Sequence, residues 1–283
     1  MKKVFYVALI VALFLGLSCE RGPRTNVLRI GYTDYSFDQA VVMVLKGILD
    51  QQENLEVELY RLPDSTMFRA LVDDELDIAI SMWLPHTHQM YLDMYRSEIQ
   101  THSIISDSIG IYLVVPSYMP VNSISDLRNF GSLLRNTIMV PESQNAIYHL
   151  ATDIISDYDL RGFTLQETAW DDIVPFIAES LSDNAGFAFV SLRPHWIFER
   201  YELKVLEDVR QSLGEHENAY LAVNSKFVER MPLYADFFSK VRFSLSEMET
   251  LLEMNQTLGT EPYENAMRWI NQNTIKINLW LLP

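Results

Sequence analysis

From Val27 onward the chain alternates short apolar runs with longer amphipathic ones, and does so twice. VLRIGYT has the length and composition of a buried strand, whereas SFDQAVVMVLKGILDQQ sets Val41, Val44, Leu45 and Ile48 along one helical face. EVELYRL, TMFRALVDDELD and IAISMW continue as strand, helix and strand. A βαβαβ order predicts a parallel sheet. A second set follows in TIMVP, NAIYHLATDIISDYDL, FTLQETA, WDDIVPFIAESLSD and GFAFVSL. Between the two sets lies SIGIYLVVPSYM, whose length suits a strand crossing from one lobe to another. The chain returns through LKVLED and ENAYLAVNS, the latter a second candidate crossover. The expected fold is therefore α/β: residues 27–112 with 218–283 as one lobe and 113–217 as the other, joined by two extended crossover strands. Helical spacing in the tail predicts C-terminal helices starting at Pro232, Ser244 and Pro262.

The N-terminus predicts an address. Lys2 and Lys3 precede the apolar run VFYVALIVALFLGL, shorter than the ~20 residues of a bilayer span. A charged start, a short apolar stretch and a small residue before a cut are the pattern of a secretory signal, here residues 1–18. Cys19 is the only cysteine, so it has no disulfide partner within the chain. Gly16-Leu17-Ser18-Cys19 resembles a bacterial lipobox, which implies lipidation of Cys19, a polar tether over 19–26 and an extracytoplasmic, membrane-anchored lipoprotein.

With a net charge of −16 the chain lacks the clustered Lys and Arg that bind a phosphate backbone, so nucleic acid is excluded as a partner. There is no GxSxG elbow, P-loop or HExxH, hence no motif for a hydrolase or nucleotide enzyme. An enzyme using His88 or His195 as base would lack a nucleophile. His86-Thr87-His88 supplies two ligands without a placed third, which is too little for a metal site. No cofactor is expected.

Two stretches share a format: Trp83-Leu84-Pro85-His86-Thr87-His88 and Leu192-Arg193-Pro194-His195-Trp196. Each follows a strand that closes its unit, where ligands sit in open α/β sheets. Aromatic faces attract a cation, and imidazole N–H groups hold a carboxylate. Such a set suits a small zwitterionic or cationic solute.

At these residues the sequence resembles the substrate-binding proteins of glycine betaine/choline-type ABC transporters, the OpuAC/ProX-like group. The resemblance is carried by IGYTDYSFDQAV, ELDIAISMWLPHTHQMY, IGIYLVVPSYMPVNSISDL, RPHWIFERYELKVLED and GEHENAYLAVNSKF. It implies a type-II, periplasmic-binding-protein-like fold, an aromatic box for a quaternary ammonium, and ABC permease subunits as partners. Trp83 matches the family's box tryptophan, and Tyr35 stands at the aromatic position after the first strand. His88 and His195 match the histidines of the two Pro-His segments, and which one reaches a carboxylate stays open. Tyr112, on the first crossover, is a further candidate for the cleft. Arg193 is either a ligand contact or a cation bridging the lobes. Leu192 departs from the pattern, because relatives carry tryptophan there. That departure leaves a second reading open, a surface lipoprotein of the same fold repurposed for another ligand, adhesion or signalling. Trp170 and Trp196 read as packing residues.

Overall fold

The computed structural model describes residues 26–142 and 145–282, with the side chains of residues 145 and 146 excepted. The expected signal segment, Cys19 and all but the last residue of the tether lie outside them. The first lobe opens with β1 (Asn26–Tyr32), α1 (Ser36–Leu49), β2 (Leu55–Arg61), α2 (Asp64–Val72) and β3 (Ile78–Leu84). After the short α3 (Gln89–Met94), β4 (Ile99–Pro116) runs into the second lobe. There β5 (Thr137–Pro141), α4 (Asn145–Asp157), β6 (Thr164–Thr168), α5 (Trp170–Ser182) and β7 (Phe189–Arg193) repeat the alternation. The chain then passes α6 (Ile197–Arg200) and β8 (Leu203–Val205) and returns to the first lobe by β9 (Glu217–Asn224). It ends in five helices: α7 (Phe227–Arg230), α8 (Pro232–Lys240), α9 (Leu245–Met254), α10 (Pro262–Gln272) and α11 (Thr274–Leu281).

The strands run in the order β2-β1-β3-β9-β4-β7-β5-β6, with β8 beside β4. β1 is parallel to β2 and β3, and β5 is parallel to β6 and β7, as the crossover helices require. Strand periodicity sends Ile78 and Ile80 to one face and Ala79 to the other, and a register slip between Ala79 and Met82 puts Met82 on the same face as Ala79. On the first face Val41, Val44, Leu45 and Ile48 of α1 pack with Phe238, Leu251, Trp269 and Trp280 of the C-terminal helices. On the second, α2 supplies Met67, Phe68 and Leu71. Each fully buried side chain of this kind stabilises by roughly 1.5–3 kcal/mol. α1 has no side-chain cap at Tyr35, so tertiary packing is what holds it. The second lobe has its own apolar layers on either side of β4, β5 and β7.

β4 pairs with β9 as far as Ile109 and with β7 from Gly110 onward. The switch falls at a glycine because a Cβ there would stand 2.8 Å from the His216 ring. The strand begins at Ile99, earlier than the SIGIYLVVPSYM run predicts. Its first part is polar because its side chains meet carbonyls of a helix far along the chain. His102 Nε2 lies 2.6 Å from the Ala235 carbonyl, and Ser103 Oγ donates to the Phe238 carbonyl at 2.8 Å, both on α8. β9 lies wholly beside β3 and β4, so the second crossover passes through residues 206–216 before β9 begins.

Candidate functional site in the cleft between the lobes

Trp83 is the penultimate residue of β3, and the chain turns at a cis Leu84–Pro85 peptide. Two bonds tie the turn together: His88 N–H donates to the Trp83 carbonyl at 2.9 Å, and Trp83 N–H donates to His88 Nδ1 at 2.8 Å. With Nδ1 an acceptor, the neutral ring carries its proton on Nε2, which lies 3.6 Å from Asp64 Oδ2. Glu217 grips the outside of the turn, accepting from His86 N and Thr87 N at 2.8 Å and from Thr87 Oγ1 at 2.6 Å. Trp83 is thereby fixed at both ends. Its indole meets Tyr35 edge to face at 5.6 Å and 63°, and Phe37 at 6.4 Å and 83°. Tyr35 is 56% exposed, so this pair offers π surface to an incoming group.

The facing wall comes from the second lobe. Pro194, also cis, and His195 follow β7, and His195 stacks on Trp170 at 4.7 Å and 14°. Burial lowers the His195 pKa to about 4, so the ring is neutral at pH 7. Its Nδ1 accepts a long bond, 3.4 Å, from Ile197 N–H. Between the walls lies a cavity of about 1050 Å³. Residues 33–37 and 62–64 with Trp83 and Thr87 line it from the first lobe; Ile111, Pro141, Ile147, Trp170, Leu192, Pro194 and His195 line it from the second. Asp34 and Asp64 are among these residues and no Lys or Arg is. Arg61 pairs with Asp34 at 3.1 Å, both exposed to solvent.

Of the residues expected at the site, Trp83, Tyr35 and His195 line this cavity, and three others sit elsewhere. Tyr112 does not face the cleft. Strand alternation sends its neighbour Ile111 there, paired in register with Leu192, while Tyr112 turns into the second lobe, donating to the Ser108 carbonyl at 2.8 Å and packing on His216 at 4.5 Å. Arg193 is likewise on the far side of β7 from Leu192 and Pro194. It forms a two-pronged pair with Glu249 of α9 at 2.5 and 3.0 Å and lies over the Phe198 ring at 4.7 Å. It bridges the lobes and is not among the residues lining the cavity. His88 is 7% exposed and borders only a smaller recess beside Trp83, positioning the tryptophan backbone.

Trp170, read as a packing residue, does pack against an apolar layer of the second lobe, and it also lines the cleft because it opens α5 immediately beyond β6. The rule that ligands lie past the carboxyl ends of parallel strands applies to β6 as well as to β3 and β7, and was the available signal. Asp38, Asp64 and Ser81 carried no such signal. Among the described residues no group of three or more His, Cys, Asp or Glu is arranged to hold a metal, and no helix is long and apolar enough to cross a membrane.

Two lobes on a partly parallel sheet, with an aromatic-lined chamber at their junction, define a solute-binding protein of the type-II periplasmic kind. Residues 26–272 match the family described as the substrate binding domain of ABC-type glycine betaine transport systems, and the chain belongs to that family. The glycine betaine/carnitine transport binding protein GbuC of Listeria monocytogenes is 25% identical over 156 residues, 54% of this chain and 51% of GbuC, so the match spans about half the length of that relative. Three solved structures share the fold. Lactococcal OpuAC in its closed form with glycine betaine superposes with a TM-score of 0.68 at 23% identity, covering 91% of this chain and 100% of that one. ProX of Borrelia burgdorferi gives 0.65 at 21%, covering 91% and 97%. A choline-binding protein in complex with choline gives 0.63 at 18%, covering 91% and 92%.

Proposed function

We propose that this chain is the extracytoplasmic solute-binding lipoprotein of an ABC importer, taking a small betaine-like zwitterion or cation between its lobes and delivering it to permease subunits. The observation that carries the reading is the Tyr35–Trp83 pair, presented to a cavity whose lining includes carboxylates and no Lys or Arg. A cation resting on such a pair gains about 0.5–2 kcal/mol, more as closure removes water. The neutral His195 ring on the opposite wall offers an N–H for a carboxylate without a full positive charge that would repel the cation. No catalytic step is assigned to the site.

Titration calorimetry with glycine betaine, proline betaine, carnitine, choline and proline tests the assignment. Saturable heat with at least one is expected, weakened roughly tenfold or more by Trp83→Ala. Silence with all five removes the betaine-like ligand. Leu192 lines the cavity, which supports the second reading of a site rebuilt for a different ligand. Leu192→Trp separates the two, since a betaine site short of one aromatic wall gains affinity from it and a rebuilt site does not. Lipid anchoring is checked by fractionation after labelling with a radioactive fatty acid: label and membrane association are expected, and both should vanish in Cys19→Ala.

A further inference from the structure

A recess of about 200 Å³ adjoins the cleft beside the Tyr35–Trp83 pair, and Asp38, Asp64, Ser81 and His88 border it. Its buried end is polar. Asp38, in the first turn of α1, is 2% exposed, and Ser81 in β3 is 3% exposed. One carboxylate oxygen of Asp38, Oδ2, accepts from Thr33 N at 3.1 Å and from Thr33 Oγ1 at 2.7 Å. The other, Oδ1, has no partner among the described residues, and neither has Ser81 Oγ. The serine hydroxyl is near enough to favour the ionised carboxylate but is not in hydrogen-bonding geometry with it.

The backbone shows how this pairing of orphans is built. Ser81 has φ +63, inside a β-strand, where β3 slips register against β9 between Ala79 and Met82. A bulge of this kind re-aims a side chain, and a left-handed non-glycine residue within a strand persists only where its surroundings hold it. Burial raises the Asp38 pKa to about 6, which leaves it mostly ionised at pH 7. The other charged group bordering the recess is a second carboxylate, Asp64, and no Lys or Arg borders it. A buried anion whose free oxygen faces no cation and has no donor in hydrogen-bonding geometry is costly unless something binds it.

Resting on the reading of the cleft as a solute site, we propose that this recess recognises a hydrogen-bond donor on the cationic end of the ligand. The group is an ammonium carrying at least one N–H, attracted by the Tyr35 and Trp83 rings and donating to Asp38 Oδ1, with Ser81 Oγ sharing that hydrogen or accepting a second N–H where there is one. A fully methylated nitrogen has the charge but no hydrogen to donate, so it leaves both orphans unpaired. The preferred substrate class is a protonated primary, secondary or tertiary amine rather than its quaternary counterpart.

Matched pairs test this directly: dimethylglycine against glycine betaine, and dimethylethanolamine against choline. Within each pair the molecules differ by one methyl on nitrogen and share the other end. Calorimetry on the full chain should give at least tenfold tighter binding to the N–H member of each pair. In Asp38→Asn, confirmed folded by its thermal transition, that preference should fall to about twofold or less. Should that variant not fold, Ser81→Ala keeps Asp38 and its Thr33 bonds, and it should reduce the preference severalfold. Equal affinities within both pairs, as expected if the orphans serve only internal water, overturn the subsite and leave the solute reading intact. So does an N–H preference that survives Asp38→Asn or, where that variant does not fold, Ser81→Ala. Failure of all four compounds to bind the parent protein removes the solute reading and the subsite with it.

Discussion

Asp38, in the recess beside the cleft, and His195, on the facing wall, are buried titratable groups, and burial moves them in opposite directions. Desolvation disfavours the charged form of each: the carboxyl rises to about 6 and the imidazole falls to about 4. For Asp38 the folded value lies above the ordinary 3.8, so its stabilising effect is complete below that pH and is lost as pH rises through 6. For His195 the folded value lies below the ordinary 6.5, so stability is retained above 6.5 and lost as pH falls toward 4. The two effects offset each other between pH 4 and 6, and single substitutions expose them. Relative to the parent, Asp38→Asn should gain up to about 3 kcal/mol in stability between pH 4 and pH 7, read from denaturation curves at each pH. His195→Phe should gain relative to the parent as pH falls across the same range. Neither property was legible from residue type, because a first-turn aspartate and a histidine after proline look the same in sequence whether they are exposed or buried.

At the scale of elements, the end of β7 divides its residues between two tasks. Leu192 and Pro194 face the cleft; Arg193, between them, reaches α9 and Glu249, whose side chain is 5% exposed. Arg200 of α6 pairs with Glu253 one turn further along α9 at 2.8 Å, so two ion pairs join the second lobe to a C-terminal helix of the first. The buried pair is the stronger constraint, since removing one partner strands the other charge. Glu249→Gln should destabilise by about 3 kcal/mol in urea unfolding, and the double replacement Arg193→Met with Glu249→Leu should recover most of that loss. Helix starts at Pro232, Ser244 and Pro262 were legible because proline and a capping serine act locally. Ser244 accepts from Glu247 N–H, and the Glu247 carboxylate accepts from Ser244 N–H in return. The first part of β4 was not legible, since its polar side chains answer carbonyls of a helix more than a hundred residues away.

At the scale of the whole molecule, charge and hinge act together. A net charge of −16 with carboxylates at the cleft favours capture of cations over anions. Raising ionic strength from about 0.01 to 0.15 M shortens the screening length from about 30 to about 8 Å. Stopped-flow association of a cationic ligand such as dimethylethanolamine should therefore slow severalfold over that range. Dimethylglycine, which carries no net charge, should change little; equal salt dependence would show that steering is absent.

The amino-acid sequence by itself determined the two α/β units, the long strand between them, the helical tail and the Pro-turn segments that hold Trp83 and His195. All of these depend on local periodicity and on backbone restrictions that a residue imposes on its neighbours. Only the tertiary structure decided that Tyr112 and Arg193 turn away from the cleft, that Trp170 and Ile111 enter it, and that Asp38 and Ser81 meet unpartnered beside the tryptophan. The physical reason is register. A side chain's face depends on which residue stands opposite on a strand far along the chain, and a one-residue slip, as at Ser81, reverses it.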